Sequence, residues 1–339
     1  MLVLDRSKSD TSIGLDLLRA VAAQMVCIGH AINFSGVGYT KAPDAGVLLF
    51  FILSGFVIAY TLDSRSQSER YNLVEFGIER FARIYAAYLP ALLLIALSDW
   101  WFAGSFDLRA LFGNLLMLQN VPGSGFTTYG SAGHLTSLAA EFHIYFFVGA
   151  TYFLLCNRQR VLCAAVLVLF STMPLGYTLN LPGSNRSLFV LWLAGFALYF
   201  VLRNANLPGL APWLLSATIG VAYFGKKFLQ PNPDDLANYP LIVLAFACLV
   251  VCTQSTRALG RFEPIIRFAA GYSLSLFLLH FTLTTHLMAK WSGLGGAVAA
   301  ILLSNALAAA FAFIAESRYR LLATWLKSLV GRSSVPAVF

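Results

Sequence analysis

Residues 46–62 read GVLLFFILSGFVIAYTL, seventeen consecutive positions without a charge or a proline. A helix over this stretch covers about 26 Å at 1.5 Å per residue, close to the roughly 30 Å of bilayer hydrocarbon. The run shows neither the alternation of a barrel strand nor the polar face of a surface helix. It reads as a membrane-spanning helix, and the fold follows from how often the pattern recurs. The 339-residue chain is 58% hydrophobic and 11% charged, with a mean hydropathy of +0.73. Soluble chains carry about 25% charged residues, so a single soluble domain of this length is excluded. Disordered and collagen-like chains are excluded too, because both need far fewer apolar residues.

Outward from that run, breaks at glycine, proline and charge clusters delimit spans near 13–34, 46–62, 82–102, 135–156, 161–178, 187–203, 211–225, 239–254, 268–288 and 294–315. The expected architecture is an all-α polytopic membrane protein of about ten transmembrane helices. One membrane domain is expected over 1–339, with an N-terminal tail over 1–12 and a C-terminal tail over 317–339. The first apolar stretch is too long for a signal peptide and no small-residue cleavage site follows it. Sixteen Lys and Arg fall on the side of the two termini and six on the other, with Arg19 inside the first span. That asymmetry places both termini in the cytoplasm. The net charge of +8 then reads as charge held against membrane lipids rather than against nucleic acid.

Cys27, Cys156, Cys163, Cys248 and Cys252 are odd in number, sit in or beside apolar runs and match no zinc spacing. They read as core residues, with no metal site and no disulfide framework. Zinc-protease, phosphate-loop and dinucleotide motifs are absent from the sequence. Two loops stand out on the expected outer face: 104–133, which ends in GSGFTTYGSAG, and Lys226–Asn238. Each reads as a functional loop or as plain connection.

A charge inside a span costs at least about 2.5–3.5 kcal/mol, so polar residues within the apolar runs need a reason. In the first span Arg19 and His30 are eleven residues apart, which puts them on one helix face about 16 Å apart. His30 suits a general base near a hydroxyl; the competing reading is an Asp16–Arg19 pair beside a satisfied histidine. In the fourth span His134, Ser137, Glu141 and Tyr145 fall on one stripe, fit either for chemistry or for helix–helix contact. Just before the third span, Asn72 and Glu75 fit a capping box, and Arg80 and Arg83 project together toward a phosphate. Interfacial anchoring or a Glu79–Arg83 pair is the alternative there. Ser54-Gly55 permits close helix approach, and Ser273 and His280 share a face of the ninth span.

These clusters, in this order, resemble the acyltransferase-3 family of membrane acyltransferases, which modify cell-envelope and exopolysaccharide sugars. Leu15–Ala22 is similar to its L-D-x-L-R-A-x-A start, with Arg19 and His30 as its Arg-x10-His. Phe50–Phe56 resembles F-F-x-L-S-G-F, Arg80–Arg83 matches R-x-x-R, and His134–Tyr145 resembles H-L-W-S-L-x-x-E-x-x-x-Y. Tyr272–His280 resembles the S-Y-S-L-Y-L-x-H segment near the end. Leu17 stands where a Gly is common, and Thr136 stands where Trp is usual, which alters the acceptor pocket. The hydrolase-like C-terminal domain of some members has no counterpart, so a membrane-only member is expected.

The resemblance implies ten helices in the bacterial cytoplasmic membrane. It also implies transfer of an acyl group, acetyl foremost, from cytoplasmic acyl-CoA to a sugar hydroxyl at or beyond the outer face. In that scheme Arg80 and Arg83, with Arg19 deeper, hold the CoA phosphates. His30 takes the hydroxyl proton, and Glu141 orients the histidine or binds the acceptor. His134, Ser137, Tyr145 and His280 are the expected substrate-binding residues. A covalent acyl-histidine route stays open. The competing class is a proton-coupled transporter, against which stands the lack of duplicated halves.

Overall fold

The computed structural model describes residues 9–68, 70–182, 185–204, 220, 236–255 and 257–331. The described residues form twelve α-helices: α1 (Thr11–Ser35), α2 (Ala42–Arg65), α3 (Leu73–Ala103), α4 (Leu108–Leu115), α5 (Leu135–Leu155), α6 (Arg160–Leu169), α7 (Leu188–Leu202), α8 (Tyr239–Ser255), α9 (Glu263–Gly271), α10 (Ser273–Met288), α11 (Gly293–Ile314) and α12 (Tyr319–Leu329). No strand occurs among the described residues. Seven helical stretches among them are long and apolar enough to cross a membrane, and α9 with α10, bent by 48° at Tyr272, makes an eighth. α7 is apolar but spans only fifteen residues. The expected span at 211–225 and most of the 226–238 loop lie outside the described residues.

The described residues group into two compact units, one drawn from 1–33, 38–64 and 179–273 and the other from 34–37, 65–178 and 274–339. In the first unit α2 and α7 meet backbone to backbone. A Cβ on Gly55 would collide with the carbonyl of Trp192, and one on Gly195 with the carbonyl of Ile52. Ser54 Oγ accepts the Trp192 indole N–H at 3.2 Å beside that contact. The Ser54-Gly55 pair therefore packs helices, as small residues in membranes do. Both ends of the pair are pinned by charge: Asp44 meets Arg186 at 3.2 Å, and Asp63 accepts from Tyr199 Oη at 2.7 Å and Arg203 at 3.3 Å.

The second unit is built on α3, whose 31 residues run about 46 Å, longer than the hydrocarbon layer is thick. Asn72 caps it as the sequence suggests, accepting the Val74 and Glu75 N–H groups at 3.1 and 3.3 Å. Gly104, at φ 63°, ends it by returning its N–H to the Trp100 carbonyl. The expected span at 161–178 is α6 followed by a π-helical turn over Thr172–Thr178.

The 104–133 segment, expected as a long loop on the outer face, contains the short helix α4. Asp107 caps α4 through the Ala110 N–H at 3.0 Å, and α4 then turns back alongside α3. The last carbonyls of α4 accept from α3: Leu115 from Tyr85 Oη at 2.9 Å and Asn114 from Tyr88 Oη at 2.7 Å. Those tyrosines precede the end of α3 by fifteen and eighteen residues, roughly 22–27 Å along its axis. The Asn114 amide donates to the Ala110 and Thr127 carbonyls at 2.7 and 2.9 Å, binding the outgoing and returning arms together. Non-helical backbone at that depth is tolerated only when protein encloses it. Met117, Asn114 and Gln119 are all fully buried, which meets that condition.

The expected C-terminal tail is likewise structured up to residue 331. It contains α12, whose Lys327 is buried against α3.

Candidate active site

The start of α3 collects charge. Lys327 Nζ lies between Glu75 Oε1 at 3.0 Å and Glu79 Oε1 at 2.7 Å. Arg65 bonds Glu79 from the other side and stands 3.8 Å from Glu75. Two cations and two anions thus neutralise one another in a buried cluster, as buried charges must. Tyr71, between α2 and α3, donates to Glu79 at 3.3 Å. Burial, reinforced by that carboxylate, pushes its phenol well above the usual range.

The two arginines of the R-x-x-R stretch differ. Arg83 is engaged: its guanidinium pairs at 3.1 Å with Glu316, which is 2% exposed and also accepts the Ser275 N–H at 3.0 Å and its hydroxyl at 2.8 Å. Glu316 thereby ties α3 to the start of α10. The suggested Glu79–Arg83 pair does not form, because Glu79 is taken by Arg65 and Lys327. Arg80 has no ion pair among the described residues, and its Nε is sealed from solvent without a hydrogen-bond partner. A half-buried guanidinium without an ion pair, two turns into α3, is suited to an anion with several oxygens.

In the first unit Arg19 pairs with Asp16 at 3.3 Å, the i,i+3 contact weighed from the sequence. His30 lies about three turns further along α1, half-buried. A groove of about 340 Å³ follows the face of α1 that carries Met25, Ile28 and Ile32, and His30 is not among its lining residues.

In the second unit the fourth-span stripe divides. His134 sits at the start of α5, with Nε2 3.2 Å from the Leu278 carbonyl and its ring stacked on Phe281. The ring of His280 is 5.2 Å away, so these two histidines come together. Nδ1 of His280 bonds the Leu276 and Phe277 carbonyls of its own helix at 2.8 and 2.9 Å. Ser137 Oγ donates to the His134 carbonyl at 2.9 Å, and Tyr145 Oη donates to Glu141 one turn away. His30 belongs to the first unit, and Glu141, Arg80 and Arg83 to the second.

Several functional-looking groups escape a reading by sequence pattern. His143, 3% exposed between Glu141 and Tyr145, donates Nε2–H to the Met117 carbonyl at 3.0 Å. Asp99 accepts from His286 Nε2 at 2.8 Å. Glu316 and Lys327 carried one signal, acid and base just past an apolar run, but nothing local names their partners. Among the described residues no group of three His, Cys, Asp or Glu side chains is placed to hold a metal ion. The five cysteines are free thiols, four of them buried.

The profile of a family described as an acyltransferase domain matches residues 12–316. An O-acetyl transferase of Shigella phage Sf6 is 24% identical over 298 residues, covering 78% of this chain and 83% of that protein. Protein 2 in the picA locus of Rhizobium radiobacter is 35% identical over 96 residues, 27% of this chain and 48% of that protein. No solved structure matches.

Proposed function

The chain belongs to the acyltransferase family whose profile covers it from residue 12 to 316, and from that premise we propose that it O-acylates a sugar of the cell envelope or an extracellular polysaccharide. The donor is cytoplasmic acyl-CoA, with acetyl the foremost group, since the phage relative is an O-acetyl transferase. The protein is an integral membrane acyltransferase; the proposal adds about ten spans, cytoplasmic termini and residence in the bacterial inner membrane.

The observation that carries the reading is the division of labour between Arg80 and Arg83. Glu316 holds Arg83 in place, which leaves Arg80, half-buried and without an ion pair among the described residues, as the guanidinium for a CoA phosphate. Arg83 braces α3 and contributes its remaining N–H groups, and Arg19 would serve as a further phosphate-binding arginine only by exchanging its Asp16 partner for the donor. The pantetheine arm carries the thioester toward His30. Its imidazole takes the acceptor hydroxyl proton as the oxygen attacks the carbonyl and the thiolate leaves, a step in which base assistance is typically worth about 10²–10⁴-fold. Glu141 and the His134–His280 pair, with Ser137 and Tyr145, line the acceptor side.

The test uses acetyl-CoA and the source strain's surface polysaccharide, de-O-acetylated with mild alkali. Free-thiol release by the purified protein should depend on added polysaccharide. Arg80→Ala should raise the KM for acetyl-CoA about tenfold, the loss of a charge-assisted contact, while the KM for polysaccharide stays put. Thiol release indifferent to polysaccharide, or an unchanged donor KM in Arg80→Ala, would contradict the reading.

A further inference from the structure

At the Ala103 end of α3 lies an imidazole–carboxylate pair that plays no part in the donor site. Asp99 is 2% exposed and receives two donors, His286 Nε2–H at 2.8 Å and the backbone N–H of Ser131 at 2.9 Å. A carboxylate oxygen only accepts, so Nε2 carries a proton, and the tautomer this selects leaves Nδ1 as the ring's acceptor atom. Nδ1 makes no hydrogen bond among the described residues, and the side chain keeps 14% of its surface exposed. An oriented base with one open nitrogen is how enzymes ready an imidazole for a hydroxyl.

The surroundings suit the same ligand. The Phe102 ring lies 5.2 Å from the imidazole at 34°, and Lys290 Nζ is 4.8 Å from the Phe102 centroid. A partly exposed aromatic face beside an acceptor and an ammonium offers stacking for the C–H face of a sugar and hydrogen bonds for its hydroxyls. Asp99 follows Arg80 by nineteen residues, about 28 Å along α3. The pair and the anion seat therefore occupy opposite ends of one helix, separated by about the hydrocarbon thickness of roughly 30 Å. That separation is what a donor arriving from one side and an acceptor from the other require.

We propose that His286, oriented by Asp99, is an acceptor-binding residue whose Nδ1 receives a hydrogen bond from a hydroxyl of the sugar being acylated. Asp99 is its positioning residue. The inference rests on the acyl-transfer reading above. The structural competitor is a latch: Asp99 and Thr282, whose Oγ1 meets Ser131 Oγ at 2.8 Å, would merely fasten the 130–132 turn.

Two variants separate these roles. His286→Gln keeps an N–H for Asp99 but lacks the ring nitrogen. Asp99→Asn keeps a contact to His286 but offers its amide N–H to Nε2, which moves the ring proton to Nδ1. Donor and acceptor are titrated separately, with acetyl-CoA and the de-O-acetylated polysaccharide. Both variants should raise the apparent KM for polysaccharide about tenfold or more. The KM for acetyl-CoA and the thermal midpoint should stay at wild-type values. An unchanged polysaccharide KM in either variant that retains the wild-type midpoint overturns the proposal and leaves the latch. No acetyl-CoA turnover by the wild type would overturn the acyl-transfer reading, and this proposal with it.

Discussion

Glu316 holds three donors while almost wholly buried, a load matched by Glu79 with Arg65, Tyr71 and Lys327. A buried ion pair contributes little when intact, but removing one partner strands the other, at a cost of about 3–5 kcal/mol. Glu316→Ala should therefore lower the thermal midpoint of the detergent-solubilised protein by several degrees, and Glu316→Gln, which still accepts from Ser275, by less. An unchanged midpoint in Glu316→Ala would mean that Arg83 finds another anchor. The same reasoning separates the arginines in function: Arg80→Ala acts on donor affinity, whereas Arg83→Ala acts chiefly through stability.

Among the elements, α4 and its return arm are the least ordinary. A short apolar helix that dips beside α3 has to satisfy its terminal carbonyls inside the protein, and Tyr85 and Tyr88 do this for Leu115 and Asn114. Tyr88→Phe leaves the buried Asn114 carbonyl short of its phenol donor and should cost roughly 1–3 kcal/mol, read as a lower thermal midpoint. The α2–α7 contact is stricter, because Gly55 and Gly195 each face a backbone carbonyl. Gly55→Leu should abolish the monodisperse peak in detergent chromatography, since neither carbonyl can move aside without its helix. A monodisperse Gly55→Leu protein would show that the two helices part without loss.

Across the whole molecule, what was legible in the sequence was local. The Asn72 cap and the Asp16–Arg19 pair follow from neighbours within a few positions, and the small Ser54-Gly55 pair signals a close helix contact without naming Trp192, 138 positions away, as its partner. The Arg83–Glu316, Lys327–Glu79 and Asp99–His286 pairs join residues 187 to 248 positions apart, which no periodicity encodes. The helix within 104–133 is hidden from the sequence for a related reason: the tyrosines that receive α4, Tyr85 and Tyr88, lie on another helix. The Glu75 half of the expected capping box went instead to Lys327, a partner 252 positions away.

The central claim is chemical: one imidazole on α1 handles the proton of an acyl transfer drawing on acyl-CoA. It is tested most directly by following radiolabelled acetyl groups from acetyl-CoA onto de-O-acetylated polysaccharide, with wild-type protein and His30→Ala at equal inserted amounts. The account predicts labelled glycan with the wild type and a loss of at least about a hundredfold with His30→Ala, at unchanged acetyl-CoA binding. Labelling by His30→Ala at the wild-type rate would contradict it.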